Sequence, residues 1–425
     1  MINNYEKAKE ILKKFHQEKL MYFYDELNED EKQKLIDQIL KLDFEKILTL
    51  YKNSYNSRNF EVNMEEISPI EHIEKERLTN EQKEKYKEIG ERIISKNQLA
   101  VVTMAGGQGS RLGFKGPKGT YELKIYGKKL SLYEILCNDL KNTNKKYGII
   151  LNWYIMTSTE NDYATKQYFR EHNYFDYPKE NIKFFTQENL PLVKVDGTLF
   201  LQEPYLIKVA SNGNGNVFKS LDKYGLINDM KKKKIKYISF GGIDNILLKN
   251  ADPLFIGIMA YNNKEIASKS IFKENPFDNV AVYCLKNNRP AVLDYDDITE
   301  EMSLKQFKDG RYCYREANMV SHIMTLDAVK KSAKIELPFH RAYKKNAFVN
   351  EEGMKQVPDG PNTFKFESFI FDSFYNFKDM LLLRVNEEEE FAPIKSFTGP
   401  YNPDTAIEKY KKQNTWFFSQ NMVKY

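Results

Sequence analysis

The stretch Leu99–Leu123, LAVVTMAGGQGSRLGFKGPKGTYEL, decides the fold. Its first six residues, Leu99 to Met104, are apolar enough to read as a buried strand. A glycine-rich turn follows, Ala105-Gly106-Gly107-Gln108-Gly109-Ser110, then Arg111, then a second turn, Gly116-Pro117-Lys118-Gly119. Glycines let a backbone approach a ligand and aim its N–H groups at it. Arg111 and Lys118 add fixed positive charge beside those amides. Backbone donors and two cations directly after a buried strand suit a polyphosphate. A glycine-rich hairpin with surface charges would need only the glycines. The joint occurrence of glycine pair, arginine and Pro-Lys-Gly favours the phosphate reading.

Working outward, the chain alternates. Strand-like runs are expected at Leu99–Met104, Gly148–Thr157, Ile182–Phe185 and Ile235–Phe240, with helices at Ser131–Lys141, Tyr163–His172 and Val217–Tyr224. Such alternation implies an α/β fold with a mostly parallel sheet. In such sheets ligands bind beyond the carboxyl ends of the strands, where the glycine turn lies. A hairpin is expected from Val280–Leu285 and Ala291–Tyr295, and a helix over Phe364–Phe377. Residues 1–97 read as helices: apolar spacing from Tyr5 to Phe23, an Asn28 N-cap before Glu29-Asp30-Glu31, a third helix over Asp43–Tyr51, a polar linker near Asn53–Asn59, and Thr79–Lys96. A terminal helix is expected from Thr405 to about Ser419. The expected division is a helical region over 1–97, a catalytic domain over 98–395 and a short tail over 396–425.

Composition narrows the function. The 425 residues are 41% hydrophobic, enough for a sizeable core, and carry a net charge of only +5. A dedicated nucleic-acid binder would concentrate basic residues on one face. The basic run Lys231–Lys234 is most simply a solvated helix end. Cys137, Cys284 and Cys313 are scattered and odd in number, which supports neither a disulfide framework nor a zinc site. With no secretory signal pattern and no bilayer-length apolar run, the expected location is the reducing cytoplasm, with no membrane partner.

Three further clusters carry chemistry. Ser211-Asn212-Gly213-Asn214-Gly215-Asn216 offers flexible backbone and short amides, suited to a sugar or base edge or to a plain turn. Gly241-Gly242-Ile243-Asp244-Asn245 places an aspartate at a strand's carboxyl end, where it either holds magnesium against phosphate oxygens or caps the next turn. Glu387–Glu390 reads as a solvated acidic run, followed by Phe391-Ala392-Pro393-Ile394-Lys395, whose lysine could reach phosphates.

Taken together and in order, these motifs resemble the UDP-sugar pyrophosphorylase family, in its N-acetylhexosamine branch. The resemblance rests on AGGQGSRLGFKGPKG at Ala105–Gly119, FREHNYF at Phe169–Phe175, FFTQENLP at Phe184–Pro191 and SNGNGNVF at Ser211–Phe218. It extends through IDNILLKNADPLFIG at Ile243–Gly257, FKFESFIFDSF at Phe364–Phe374 and EEEEFAPIK at Glu387–Lys395. HQEKLMYFYDEL at His16–Leu27 looks like the family's helical leader. The resemblance implies a Rossmann-like nucleotidyltransferase (nucleotide-diphospho-sugar transferase) domain with a mixed, mostly parallel sheet, an N-terminal helical region and a short C-terminal tail. It implies that UTP and a sugar 1-phosphate, N-acetylglucosamine 1-phosphate or a close relative, give a UDP-sugar and pyrophosphate. Catalysis would be positioning and charge neutralisation.

By the same resemblance, Ala105, Gly106 and Gly107 approach the nucleotide with their backbone, and Gln187 and Gly213 read the uracil. Arg111 holds the leaving phosphates, Lys118 serves the α-phosphate, and Lys395 binds a phosphate as a buried lysine. Asn214, Asp294, Tyr295 and Asn318 hold the sugar, and Asp244 binds Mg2+. The base and sugar walls depart from the family pattern: Ser211-Asn212 stands where Pro-Asp is usual, Glu188 where glycine is usual, and Asp294-Tyr295-Asp296-Asp297 where Glu-Tyr-Ser-Glu is usual. The eukaryotic relatives continue well past the position of Lys395, so a monomer or weak homo-oligomer is expected. His16 and His72 read as surface or packing residues, and His172, His322 and His340 as orienting or packing residues.

Three alternatives stand beside this reading. Glucose or galactose 1-phosphate could replace the N-acetylated sugar. A dinucleotide oxidoreductase would need an acidic residue about 20 residues beyond the glycines, where the chain instead offers Pro-Lys-Gly. A non-catalytic sugar-nucleotide binder would have little use for Arg111, Lys118, Asp244 and Lys395.

Overall fold

A computed structural model describes residues 4–56 and 66–414. The chain divides into two compact units. The first gathers the N-terminal helices with Glu188–Asn216 and Leu337–Phe369; the second holds the remainder.

In the first unit, α1 (Asn4–Lys14), α2 (Glu29–Lys41) and α3 (Phe44–Asn56) lead the chain. Asn28 caps α2 as expected: its side chain accepts from the Glu31 N–H at 3.0 Å, and Glu31 reaches back to the Asn28 N–H at 3.1 Å. The helix expected over Tyr5–Phe23 ends at Lys14, and 3-10 turns follow at Glu18–Met21 and Tyr24–Glu26. His16, exposed and at φ 55°, lies between α1 and the first of these turns. The linker expected from Asn53 begins instead as the last turn of α3, and residues 57–65 lie outside the described residues.

A three-stranded sheet, His340–Lys344, Thr363–Glu367 and Val193–Lys194, completes this unit. Leu12, Leu35, Ile39 and Phe44 share one buried core with Val193, Leu201, Phe364 and Phe366. That core explains the correction at Phe364–Phe377, which was expected to be one helix. Phe364 and Phe366 are buried, while Lys365 and Glu367, which alternate with them, are half-buried and paired at 2.8 Å. Period-two burial of this kind is a strand's, not a helix's. Only Ile370–Asn376 turns helical, as a 3-10 segment in the second unit.

The second unit is built on an eleven-stranded sheet. Its strands are β1 (Ile67–Ser68), β2 (Ile73–Glu74), β3 (Leu99–Met104), β4 (Asn152–Thr157), β5 (Ile182–Thr186) and β6 (Tyr237–Gly242). They continue as β7 (Ile266–Phe272), β8 (Val282–Lys286), β9 (Arg289–Leu293), β10 (Glu316–Thr325) and β11 (Leu381–Arg384). The order is β2-β11-β7-β10-β6-β3-β4-β5. Along this path β10 runs antiparallel to both neighbours and every other pair is parallel. The hairpin β8–β9 joins the edge of β10 and pairs with β1. β3 and β4 are buried at every position, as central parallel strands covered on both faces must be.

The compact units do not follow the expected division at 97/98. Helix α4 (Asn80–Ser95) belongs to the second unit, where it crosses α5 (Pro253–Tyr261) at backbone contact distance. A Cβ on Gly90 would lie 1.8 Å from the Pro253 carbonyl oxygen, and one on Gly257 would lie 1.7 Å from that of Tyr86. Two glycines are what allow this crossing. The terminal helix begins at Pro403 and runs to Gln413; the expected extension past residue 414 lies outside the described residues.

Candidate functional site

Strand register assembles the site. Met104 of β3 lies level with Met156 of β4 and Gly242 of β6. The three loops that follow therefore start side by side at the carboxyl edge of the sheet. The Ala105 N–H donates to the Met156 carbonyl at 2.8 Å, the Ile243 N–H to the Met104 carbonyl at 3.2 Å, and the Gln187 N–H to the Thr157 carbonyl at 2.9 Å. Ala105–Gly107, Gln187 and Asp244 thus leave the sheet at one edge.

The glycine turn folds on itself as a small clasp. Gly109 N–H donates to Gly116 O at 2.9 Å and Lys118 N–H to Gly107 O at 3.0 Å. From β4's loop, the buried Asn161 donates Nδ2 to the carbonyls of Ala105 (3.0 Å) and Gly107 (3.2 Å), while its Oδ1 accepts from the Ser158 N–H at 2.8 Å. With those carbonyls tied back, the N–H groups of Gly106 and Gly107 have no partner among the described residues. A Cβ on Gly106 would lie 2.2 Å from Gln187 Nε2, so glycine is required for Gln187 to pack there. A Cβ on Gly107 would meet nothing within 4 Å. The exposed Gly107 faces open space.

Charge is concentrated beside this clasp. Lys118 Nζ stands 3.5 Å from Asp244 Oδ2. The segment carrying Lys395 is zipped to the Asp244 loop: Ile394 N–H donates to Asp244 O at 3.0 Å, and Asn245 and Pro393 form an antiparallel bridge. The buried Asn245 side chain donates to Glu390 O and accepts from the Ala392 N–H, both at 2.8 Å. Phe397 N–H reaches the Arg111 carbonyl at 3.1 Å. Dense surroundings lower the Lys395 pKa first; Lys118 and Arg111 lower it further, and Asp244 acts the other way. Lys395 therefore feels Lys118 and Arg111 on one side and the carboxylates of Asp244 and Glu387 on the other, within one electrostatic neighbourhood. Lys395 is exposed, not buried as expected, because it sits at the rim, its ammonium 4.9 Å from the centre of the Tyr401 ring.

The acidic run before Lys395 is also corrected. Glu390 is fully buried, not solvated. It meets Lys75 at 2.8 Å, Lys249 at 3.3 Å and the fully buried Lys269, which also holds Asp252 at 2.6 Å. This network fixes the start of the turn that presents Lys395. Asn161, Asn245 and Glu390 are thus shaping residues that sequence reasoning missed. Each ties its loop to residues distant in the chain, and although Asn245 and Glu390 lie in clusters read for Asp244 and Lys395, nothing local marks them for that role.

The sugar-side candidates divide. Asp294 is half-buried and caps a 3-10 turn, accepting from the Tyr295 N–H at 2.9 Å, and the exposed Tyr295 feels the Arg111 charge. Asn318 lies on β10 beyond Ser321, which pairs with Gly241, and so at the same sheet edge as Asp244. Gly213 and Asn214 belong to the first unit. There Gly213 adopts φ +92°, and a Cβ on it would lie 2.2 Å from Ser368 O. Asn212 and Ser368 are joined by a backbone hydrogen bond of 2.9 Å, and Asn216 Oδ1 accepts from the Glu188 N–H at 2.9 Å. Of the histidines, His322 is fully buried and His172 stacks on Tyr168 with ring centres 3.9 Å apart. His72 lies between Glu74 and Glu316, and His340 packs on Phe369.

Among the described residues no three His, Cys, Asp or Glu side chains gather as a metal cage. Asp244 alone fits the way Mg2+ is usually held, by one or two carboxylates with phosphate oxygens and water completing the shell.

A Rossmann-like sheet with free glycine amides and convergent cations at its carboxyl edge defines a nucleotide-phosphate-handling α/β protein. The family described as UTP–glucose-1-phosphate uridylyltransferase matches residues 43–399. The chain is similar to the UDP-N-acetylglucosamine pyrophosphorylase of Saccharomyces cerevisiae, 35% identical over 364 residues that cover 82% of this chain and 76% of that protein. It is 33% identical to UDP-N-acetylglucosamine diphosphorylase 1 of Arabidopsis thaliana, over 92% of this chain and 79% of that protein. Among solved structures, it shares the fold of the uridine diphosphate N-acetylglucosamine pyrophosphorylase from Trypanosoma brucei, with a TM-score of 0.83, 23% identity, and coverage of 98% and 86%. The chain belongs to the UTP–glucose-1-phosphate uridylyltransferase family, as a nucleotidyltransferase of the UDP-sugar pyrophosphorylase type.

Proposed function

We propose that this enzyme converts UTP and N-acetylglucosamine 1-phosphate, or a related N-acetylhexosamine 1-phosphate, to the UDP-sugar and pyrophosphate. The observation that carries this reading is the meeting of Arg111, Lys118, Lys395 and Asp244 beside the free amides of Gly106 and Gly107. The choice of sugar follows the yeast and plant relatives, which are named for UDP-N-acetylglucosamine; glucose 1-phosphate, for which the family is named, is the second reading.

A phosphate oxygen of the sugar 1-phosphate attacks the α-phosphorus of UTP in line. The bond from that phosphorus to the bridging oxygen breaks, and pyrophosphate leaves with the electron pair. The nucleophile is already an anion, so no general base is required. The chain's part is to hold the reactants and neutralise charge. Ala105, Gly106 and Gly107 cradle the nucleotide, with Gln187 and Gly213 on the uracil. Arg111 holds the departing phosphates, Lys118 meets the charge that builds at the α-phosphate, and Lys395 holds the phosphate of the sugar substrate or of the product. Asn214, Asp294, Tyr295 and Asn318 orient the sugar. Asp244 would hold Mg2+, which would supply further charge neutralisation at the phosphates.

The free cysteines Cys137, Cys284 and Cys313 suit a reducing cytoplasm, and no helix among the described residues is long and apolar enough to cross a membrane. A monomer or weak homo-oligomer without nucleic-acid partners completes the proposal. The test is pyrophosphate release from UTP with a panel of sugar 1-phosphates. Turnover of the N-acetylated sugar supports it, release with glucose 1-phosphate alone moves the substrate to the second reading, and no release with any sugar defeats it.

A further inference from the structure

Asn318 sits in a distortion of β10. Ser270 of β7 pairs with Asn318, and Ser268 with His322, so Met319, Val320 and Ser321 stand opposite Lys269 alone. Val320 adopts φ 56°, a left-handed conformation that a β-branched residue rarely takes. Strain of this kind persists where the surroundings over-determine it and clusters at ligand sites. Here it turns the Val320 N–H back onto Asn318 Oδ1 at 2.9 Å. A backbone N–H only donates, so this atom of the carboxamide is its oxygen.

The hydroxyl of Tyr283, from β8, donates to the same oxygen at 2.9 Å. Tyr283 is buried, and burial raises its pKa, so it remains a neutral donor. Ser268 interacts with the same hydroxyl and is itself bonded to His322 Nδ1 at 2.8 Å. His322 is fully buried, its pKa pushed down to about 3 by that burial, so the ring is neutral. Its edge contact with Phe374 holds it in place, with ring centres 5.2 Å apart. The Asn318 backbone is pinned as well, its N–H donating to Ala281 O at 2.8 Å. With Oδ1 doubly engaged, Nδ2 has no partner among the described residues.

We infer that Tyr283, backed by Ser268 and His322, is a positioning residue that locks the Asn318 carboxamide with its NH2 group as the part offered to the sugar. The inference rests on Asn318 facing the sugar 1-phosphate in the proposed reaction. The Asn318 carboxamide then presents two donors and no acceptor. It takes an acceptor oxygen of the sugar, a carbonyl or hydroxyl, and opposes an ammonium. Polarisation through the Tyr283 bond strengthens the outward N–H donors.

Tyr283→Phe removes only the hydroxyl and keeps the packed ring. The expected result is a roughly 5- to 10-fold rise in KM for N-acetylglucosamine 1-phosphate, with KM for UTP and kcat within about two-fold, since one bond's loss in orientation is read on one substrate. Asn318→Asp, which replaces the donors with an acceptor, should raise the same KM further. An unchanged sugar KM in Tyr283→Phe overturns the inference. A second readout needs no turnover. In protein labelled with 15N-asparagine, the Asn318 side-chain NH2 signals, assigned by their loss in Asn318→Asp, should shift in Tyr283→Phe. Unshifted signals overturn the positioning role even in a protein that turns over no sugar, whereas absence of turnover in wild type with shifted signals defeats the proposed reaction alone.

Discussion

Lys118 Nζ lies 3.5 Å from the carboxylate of Asp244, so the cation proposed for the α-phosphate and the acid proposed for the metal are already paired. Their side chains are 16% and 32% exposed, and Lys395 feels the same carboxylate, so loss of Lys118 leaves Asp244 with a second cation. Lys118→Ala should therefore move unfolding by less than about 1 kcal/mol. Turnover should fall by roughly 10²- to 10³-fold, the usual effect of removing one preorganised group from developing charge. Urea melts beside steady-state rates check the separation.

Gly106 and Gly107 predict opposite behaviour from one added methyl group. On Gly106 it meets Gln187 at 2.2 Å, so Gly106→Ala should lower stability and weaken UTP binding together, and Gln187→Ala in the same chain should recover the stability. On Gly107 it enters open space. Gly107→Ala should melt like wild type and still lose UTP affinity, because the methyl occupies the approach to a phosphate. Calorimetric UTP titrations with thermal melts distinguish the two.

The depressed pKa of Lys395 sets a pH dependence with a definite sign. Its amine attracts phosphate only when protonated. Pyrophosphate affinity should be full at lower pH and decline as pH rises through a value below that of an ordinary lysine. Lys395→Arg, which keeps its charge, should flatten that decline. Binding isotherms across the alkaline range measure it.

Buried Glu390 is pushed toward neutrality by its burial, yet Lys269, Lys249 and Lys75 together hold its carboxyl well below the ordinary carboxylate range. A depressed carboxyl contributes stability above its unfolded pKa and loses it as pH falls through the folded value. Glu390→Gln should cost about 3–5 kcal/mol at neutral pH, because it leaves Lys269 with a weakened network. It should also flatten the acid limb of stability against pH. Denaturant melts over a pH series give both quantities.

Local chemistry made much of this architecture readable. The β3 strand, the Asn28 cap and the alternation through β6 follow from neighbours in sequence. The glycine turn was readable because strand, glycines and cations are contiguous. Phe364–Phe377 misled because an aromatic run that crosses from one compact unit into the other has no single period. Asn161, Asn245 and Glu390 were illegible for a related reason. A lone asparagine or one glutamate among four carries no local mark of the distant carbonyls and lysines it will meet.

The central claim is that the cations beside the glycine clasp serve transfer of a uridylyl group. Its most direct test is pyrophosphate release from UTP and N-acetylglucosamine 1-phosphate by wild type and by Arg111→Ala, whose exposed side chain leaves the core untouched. The account predicts release by wild type and a loss of about 10²-fold or more in the variant at an unchanged melting temperature. Undiminished release by Arg111→Ala would contradict it.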